Sequence, residues 1–339
     1  MKVLVTGSSG FVGAALCQAL CAQGHDVRAF HRPTSNLQML SGLPVEHAIG
    51  DLTQPETLNA AVDGMEVVFH AAALLGGGTF EKEIAVTVAG TRAILQAARL
   101  AGVRRVIHTS SVAALGLPTE PLHGGQPPLM NENHSWNTTP AIWQYGYAKY
   151  LAELEVQRAV ADGLDAVIVN PTWVLGPGDI YRLTSSPIVM VAKGRYPILA
   201  EGGLNIVHIH DVVDGHLAAL AHGERGMRYI LGGTNVSIAA FVQYAHQIAG
   251  LTPPTLVFPT GLARWLAGAL RPLHALVNLP LDPTLLRLAG YQFYYDTHAA
   301  RTELGLPEPI PWQQCVDDTY DWFAPLANLP ARKTMPDLT

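Results

Sequence analysis

Charge is what this 339-residue chain has least of: only 14% of it is Asp, Glu, Lys or Arg, and lysine occurs five times. No run of Lys or Arg is present, which argues against a nucleic-acid partner and against a polybasic membrane anchor. The net charge of −6 is dispersed, and apolar residues make up 49%, a composition that does not leave long tails disordered. Cysteine is equally scarce. Cys17, Cys21 and Cys315 form neither a disulfide framework nor a metal quartet, and Cys17 and Cys21, four apart in a predicted helix, read as small packing residues. The opening MKVLVTG runs straight into a strand pattern without signal-peptide architecture, so the expectation is a soluble protein of the reducing cytoplasm. Long apolar runs are missing too. The nearest, residues 261–281, is interrupted by Arg264, Arg271, Pro272 and His274; it reads as an amphipathic helix over an apolar pocket, with peripheral lipid contact as the alternative.

What is present is alternation. Lys2–Thr6, Asp26–Phe30, Val45–Ile49, Glu66–His70, Arg104–Thr109 and Ala166–Asn170 read as strands, and Phe11–Gln23, Thr57–Val62, Glu83–Ala101 and Ile142–Ala161 as helices between them. Such alternation implies right-handed crossovers and a doubly wound parallel α/β sheet with helices on both faces. After Pro171 the pattern loosens into Gly and Pro breaks. Helices at Asp211–His222 and Ser237–Ala249 then flank a strand at Arg228–Leu231. We therefore expect a dinucleotide-binding domain at 1–170, its sheet completed by later strands. A smaller, mainly substrate-binding α/β lobe at 171–330 and a frayed tail at 331–339 would follow.

The first strand runs into TGSSGFVG, with Gly7, Gly10 and Gly13 three apart. Gly7 permits the tight turn, Gly10 lets amides approach a pyrophosphate, and Gly13 lets the helix pack closely. Ser9, Phe11 and Val12 open a helix whose N-terminal amides favour phosphate. At the end of the second strand, where an NAD site usually holds an acid, stand His31 and Arg32. A guanidinium there clamps a 2′-phosphate, so the expected cofactor is NADP(H), with NAD as the alternative. Asp51 and Leu52 follow the third strand, where the Asp would accept from the adenine amino group. Ala71, Ala72 and Ala73 follow the fourth, where small side chains let a cofactor cross the backbone.

HTSSVAALG at 108–116 follows the fifth strand, at the ligand crevice of an open sheet. The helix after it carries Tyr145 and Lys149, four apart on one face. A Tyr-x-x-x-Lys pair arises by chance roughly 0.2 times in this composition, so its place in the fold, not its pattern, gives it weight. A hydride-accepting ketone needs a proton donor at its oxygen. Free tyrosine is a poor one near neutrality, and a lysine one turn along would lower its pKa.

These stretches, with GDL at 50–52, VAGT at 88–91, NPTWVLGPGD at 170–179 and VHIHDVVDGH at 207–216, resemble the extended short-chain dehydrogenase/reductase superfamily, the NAD-dependent epimerase/dehydratase group, over nearly the whole chain. The likeness is greatest to dihydroflavonol-reductase-like and hydroxysteroid-dehydrogenase-like members. It implies a Rossmann sheet, a homodimer built through helices 83–101 and 142–161, and a Tyr145–Lys149 pair with a serine partner. The family pattern selects Ser111, with Ser110 as runner-up. On the same resemblance Thr109, Tyr145, Lys149, Pro171 and Val174 lie against the cofactor.

Two departures bear on substrate. Thr87 stands where many relatives carry Asn, and Leu204-Asn205-Ile206-Val207-His208 replaces the R-D-x-x-H of nucleotide-sugar enzymes, removing an arginine for the diphosphate. Arg182, Lys193 and Arg195 are the remaining candidates for an anion. The leading expectation is hydride transfer between nicotinamide and a ketone, aldehyde or secondary alcohol in an apolar cleft. Trp136, Trp143, Tyr147, Tyr181, Trp265, Phe293 and Tyr294 are candidates to line it. A nucleotide-sugar epimerase or dehydratase with tightly held NAD is the second reading, and a non-catalytic nucleotide-binding protein the third. No metal site is expected.

Overall fold

Short β-branched strands, each too apolar to face water on either side, need helices on both faces, and the chain supplies them in turn. The computed structural model describes residues 1–74, 79–119, 129–181, 186–196, 199–262, 265 and 287–333. Arg182, most of the 261–281 segment and residues 334–339 lie outside them. Strands β1 (Lys2–Thr6), β2 (Asp26–His31), β3 (Val45–Ile49), β4 (Val67–His70), β5 (Arg105–Thr109) and β6 (Ala166–Pro171) alternate with helices α1 (Phe11–Ala22), α2 (Pro55–Val62), α3 (Phe80–Glu83), α4 (Gly90–Leu100) and α5 (Gln144–Ala161). A π-helical stretch, Ile84–Ala89, joins α3 to α4.

The second half carries β7 (Trp173–Leu175), α6 (Ser186–Ala192), β8 (Leu199–Ala200), β9 (Gly203–His208), α7 (Ile209–His222), β10 (Arg228–Leu231), β11 (Thr234–Ser237), α8 (Ile238–Ile248), β12 (Val257–Phe258), α9 (His298–Glu303) and α10 (Trp312–Ala327). The main sheet runs β10-β6-β5-β4-β1-β2-β3, each strand parallel to its neighbours. Strand β10 thus returns from the second half to form its edge.

Side-chain alternation divides the interior in two. Val3, Val5 and Phe69 pack with Leu16 and Leu20 of α1 and Val212 of α7. Leu4, Val68 and Ile168 point the other way, onto Leu58 of α2, Ile94 of α4 and Val156 of α5. A third core joins Ile188, Phe241, Ile248, Val316 and Tyr320 beneath a small sheet ordered β11-β9-β7. The sequence reading named none of β7, β9, β11 or α10. Those strands are only three to six residues long, too short to show a period, and glycines at 176, 178, 202 and 203 break the surrounding pattern. Among the described residues no helix is long and apolar enough to cross a membrane.

The glycine turn is held by contact as well as by backbone freedom. Gly7 has φ +68°, and a Cβ there would stand 2.7 Å from the Ala72 backbone. At Gly13 a Cβ would meet the Gly7 carbonyl oxygen at 2.2 Å. That oxygen belongs to the backbone and cannot swing aside. Gly13→Ala is therefore expected to cost about 1–3 kcal/mol and to lower the apparent Tm followed by circular dichroism. An unchanged Tm would show that the turn relaxes freely.

Candidate active site

Along the carboxyl ends of β1 to β4 runs an open groove. Its walls bring together Gly7, Ser9, Gly10, His31, Arg32, Asp51, Leu52, Ala71, Ala72 and Ala73, and add Ser35, Lys82 and Tyr181. Helix α1 begins above the glycine turn with Gly10 as its N-cap and no side-chain cap, which leaves its first amides open to an anion. A Cβ at Gly7 would meet the wall, so this part of the cradle is shaped by the missing side chain. The donor set fits the pyrophosphate of a dinucleotide.

Each groove residue has a distinct state. His31 is buried, its Nδ1 3.0 Å from the Arg32 carbonyl oxygen and its Nε2 3.0 Å from Nδ1 of His47. Arg32 is exposed, and its guanidinium has no partner among the described residues. Asp51 Oδ1 accepts from the Thr53 amide at 2.9 Å and from the Thr53 hydroxyl at 2.7 Å. Tyr181 reaches across from the second half, where its hydroxyl accepts from the Asn36 amide at 3.3 Å.

Not every expected contact lies along this groove. Phe11 and Val12 open α1, but their side chains pack against the sheet core. Gly13 packs on the turn. Pro171 is buried in β6, and Val174 belongs to the core beneath β7. The Thr109 hydroxyl turns to His216 Nε2 at 2.8 Å, while His216 Nδ1 stands 2.6 Å from the Val212 carbonyl oxygen. That carbonyl only accepts, so Nδ1 carries the proton and Thr109 donates to Nε2.

At the end of β5 the two serines separate. Ser110 Oγ donates to Glu153 Oε1 at 2.6 Å. Ser111 caps the short 3₁₀ turn Val112–Leu115, its Oγ accepting from the Ala113 amide at 3.2 Å, and its hydroxyl lies near enough to the Tyr145 phenol to draw that group's pKa down. Ser111, not Ser110, meets the tyrosine. Helix α5 is pressed onto this turn at Gly146, where a Cβ would stand 2.7 Å from the Ala113 carbonyl oxygen. Tyr145 is half-buried. Burial pushes its phenol up to about 12; the Ser111 hydroxyl pulls it down, and the Glu83 charge raises it further.

Lys149 is 3% exposed and donates from Nζ to the Thr109 carbonyl oxygen at 2.9 Å. Burial lowers its ammonium to about 8, with the Glu153 carboxylate working against that fall. The sequence led us to expect a phenol lowered by this lysine. Instead the ammonium is spent on the strand end, and desolvation dominates at the phenol.

Sequence reasoning missed Glu83, Glu153 and Lys82, and gave Tyr181 a different place. Glu83 is buried with its Oε2 unpartnered among the described residues. Glu153 had a visible signal, its place one turn after Lys149 on the same face; Glu83 and Lys82 had none. The aromatic candidates divide. Trp143 meets Phe293 edge-on at 5.6 Å, and Trp136 lies against Tyr147 at 5.7 Å. Tyr294 closes on Gly203, Trp265 is exposed, and Tyr181 lines the groove along β1 to β4. Among the described residues no cluster of His, Cys, Asp and Glu could hold a metal ion.

Comparison with known proteins agrees with this geometry. The model of the NAD dependent epimerase/dehydratase family matches residues 3–232. Sterol demethylase protein B of Methylococcus capsulatus is 34% identical over 95% of this chain and 98% of its own length. The 4-hydroxy-2-methyl-3-oxo-4-farnesyl-3,4-dihydroquinoline-1-oxide ketoreductase of Stigmatella aurantiaca is 30% identical over 94% of this chain and 95% of its own. The crystal structure of gox2253 superposes with a TM-score of 0.84 and 35% identity, covering 97% of this chain and 99% of that one. With the glycine turn, the Ser-Tyr-Lys group and the doubly wound sheet in one chain, the protein belongs to the NAD-dependent epimerase/dehydratase family, the extended short-chain dehydrogenases/reductases.

Proposed function

We propose that the protein is an NADP(H)-dependent reductase or dehydrogenase acting on a carbonyl or secondary alcohol. The observation that carries this reading is the meeting of Ser111, Tyr145 and Lys149 at the end of β5, beside a groove that fits a dinucleotide. A nicotinamide bound there supplies or accepts the hydride. Tyr145 remains a phenol at neutral pH because burial holds it up near 12, which suits it to donate a proton to the oxygen of a ketone being reduced. Ser111 has one O–H to give, and turning it from the phenol to the same ketone oxygen would supply a second hydrogen bond there. Lys149 keeps a positive charge below about 8, favouring the negative charge that develops when the phenol gives up its proton.

For the cofactor, the exposed Arg32 at the groove, unpartnered among the described residues, supports NADP(H) over NAD, since a guanidinium matches a 2′-phosphate bidentately. For the substrate, Trp143 with Phe293 and Trp136 with Tyr147 support an apolar molecule. One relative is named for a sterol and another for a farnesylated ketone. The epimerase or dehydratase reading has the family's description behind it. Against it stands Leu204, packed in the apolar core of the lobe where a diphosphate-binding arginine would be needed.

Tyr145→Phe removes the proton donor while keeping the ring. Reduction of a steroid or isoprenoid ketone that the wild type turns over is expected to fall on the order of 10²–10⁴-fold, with cofactor binding retained. Full turnover in this variant would sink the mechanism. Arg32→Ala is expected to raise the KM for NADPH about tenfold or more and to leave that for NADH unchanged. Equal weakening of both would remove the 2′-phosphate from Arg32.

A further inference from the structure

Glu153 is a buried acid one turn below the Lys149 of the Ser-Tyr-Lys group, as Glu83 is a second one near Tyr145, and proton donation to a carbonyl gives Glu153 no task. It lies one turn beyond Lys149 on α5 and is only 4% exposed. Burying a carboxylate is costly unless its lone pairs are met. Here they are met by three different elements. Oε1 accepts from Ser110 Oγ at the end of β5 and from Asn170 Nδ2 at the end of β6, both at 2.6 Å. Oε2 pairs with the Arg228 guanidinium, on the edge strand β10, at 3.2 Å. Asn170 Nδ2 also donates to the Ser111 carbonyl oxygen at 2.9 Å. Two hydrogen-bonded routes, one through Ser110 and one through Asn170, therefore run from a single carboxylate to the turn that presents the Ser111 hydroxyl.

We propose that Glu153 is a positioning residue: its carboxylate fixes the Ser110–Ser111 turn that aims Ser111 at Tyr145, and sets a negative charge behind Lys149. The role of that aim in turnover rests on the reductase reading above; the electrostatic part does not.

The groups around the lysine make Glu153 decisive. His70 of β4 and His108 of β5 face it, and burial together with the Lys149 charge pushes both imidazoles far down, His70 to about 3. Both are neutral and supply no counter-charge. Tyr145, on its own helix, is an uncharged phenol. The Thr109 carbonyl contributes only a dipole. Around Glu153 itself, burial raises the carboxyl while Arg228, Ser110, Asn170 and Lys149 draw it back toward the ionised form. The sign for the lysine follows. Burial moves Lys149 down from 10.5 to about 8, and Glu153 limits the fall. Without the carboxylate the ammonium loses its proton at a lower pH, and any step that needs the charge fails earlier as pH rises.

Lysine occurs only five times, so lysine labelled with ¹³C at Cε in the full-length protein gives few NMR signals, and Lys149→Arg assigns the one in question. In the wild type that signal is expected to titrate near 8. Glu153→Gln keeps the volume and removes the charge. Its Lys149 midpoint is expected to lie clearly lower, and that of Glu153→Asp in between. In NADPH-linked reduction of a steroid ketone, the alkaline limb of kcat should move down with the midpoint. The Glu153→Gln kcat should also fall roughly tenfold or more from the loosened turn, with the KM for NADPH little changed. Near-ultraviolet circular dichroism establishes that Glu153→Gln is folded, and should it not fold, Glu153→Asp carries the comparison. A folded variant whose Lys149 midpoint equals the wild type's would overturn the proposal. Absent turnover in the wild type, with the midpoint shifted in the variant, would reject the reductase reading and leave the charge assignment standing.

Discussion

A buried ammonium must be held by something, and the way Lys149 is held organises the rest of the site. Its Nζ is spent on the carbonyl oxygen of Thr109, the last residue of β5. This pins α5 to the centre of the sheet. Once that contact is made, helical geometry places Tyr145 one turn toward the crevice and Glu153 one turn away from it. Gly146 lets the helix come close enough to the Val112–Leu115 turn for Ser111 to meet the phenol. The three proposed functional side chains are thus consequences of one helix docking on one strand end.

Electrostatics and packing cooperate in an unsymmetrical way. Desolvation acts on both members of the pair, raising the phenol to about 12 and lowering the ammonium to about 8, so their protonation midpoints move apart. Polar groups then correct each one locally, Ser111 at the tyrosine and Glu153 at the lysine. The two histidines nearby remain uncharged because burial and the lysine oppose a second cation there. The groove on the other side of the sheet's centre is different in kind. It relies on glycines, open helix amides and a solvent-facing arginine, all suited to a large anionic ligand that arrives from water.

Much of this was legible in the sequence, and the reason is locality. The glycine turn, the six leading strands and the Tyr-x-x-x-Lys spacing each depend on residues within about one element of each other, so patterning reveals them. Strand β10 and helix α7 were also readable as elements. What stayed hidden depends on distant partners. Whether Ser110 or Ser111 meets the tyrosine is decided by Glu153 and Asn170, and the counter-charge for Glu153 comes from Arg228 on a strand 75 positions further along. Tyr181 looked like a substrate-cleft aromatic because its reach to Asn36 exists only once the second half folds back. The lowered phenol was misjudged for a related reason: spacing shows that a lysine is near, not which oxygen it faces.

Isotope transfer tests the central claim most directly. NADPH carrying deuterium at the transferable C4 position would be incubated with the protein and a panel of steroid, flavonoid and isoprenoid ketones. The account predicts that one deuterium enters the new carbinol carbon for each NADPH consumed, and that Tyr145→Phe abolishes the transfer. Tightly retained NAD, no net consumption of NADPH and interconversion of a nucleotide-sugar would contradict it.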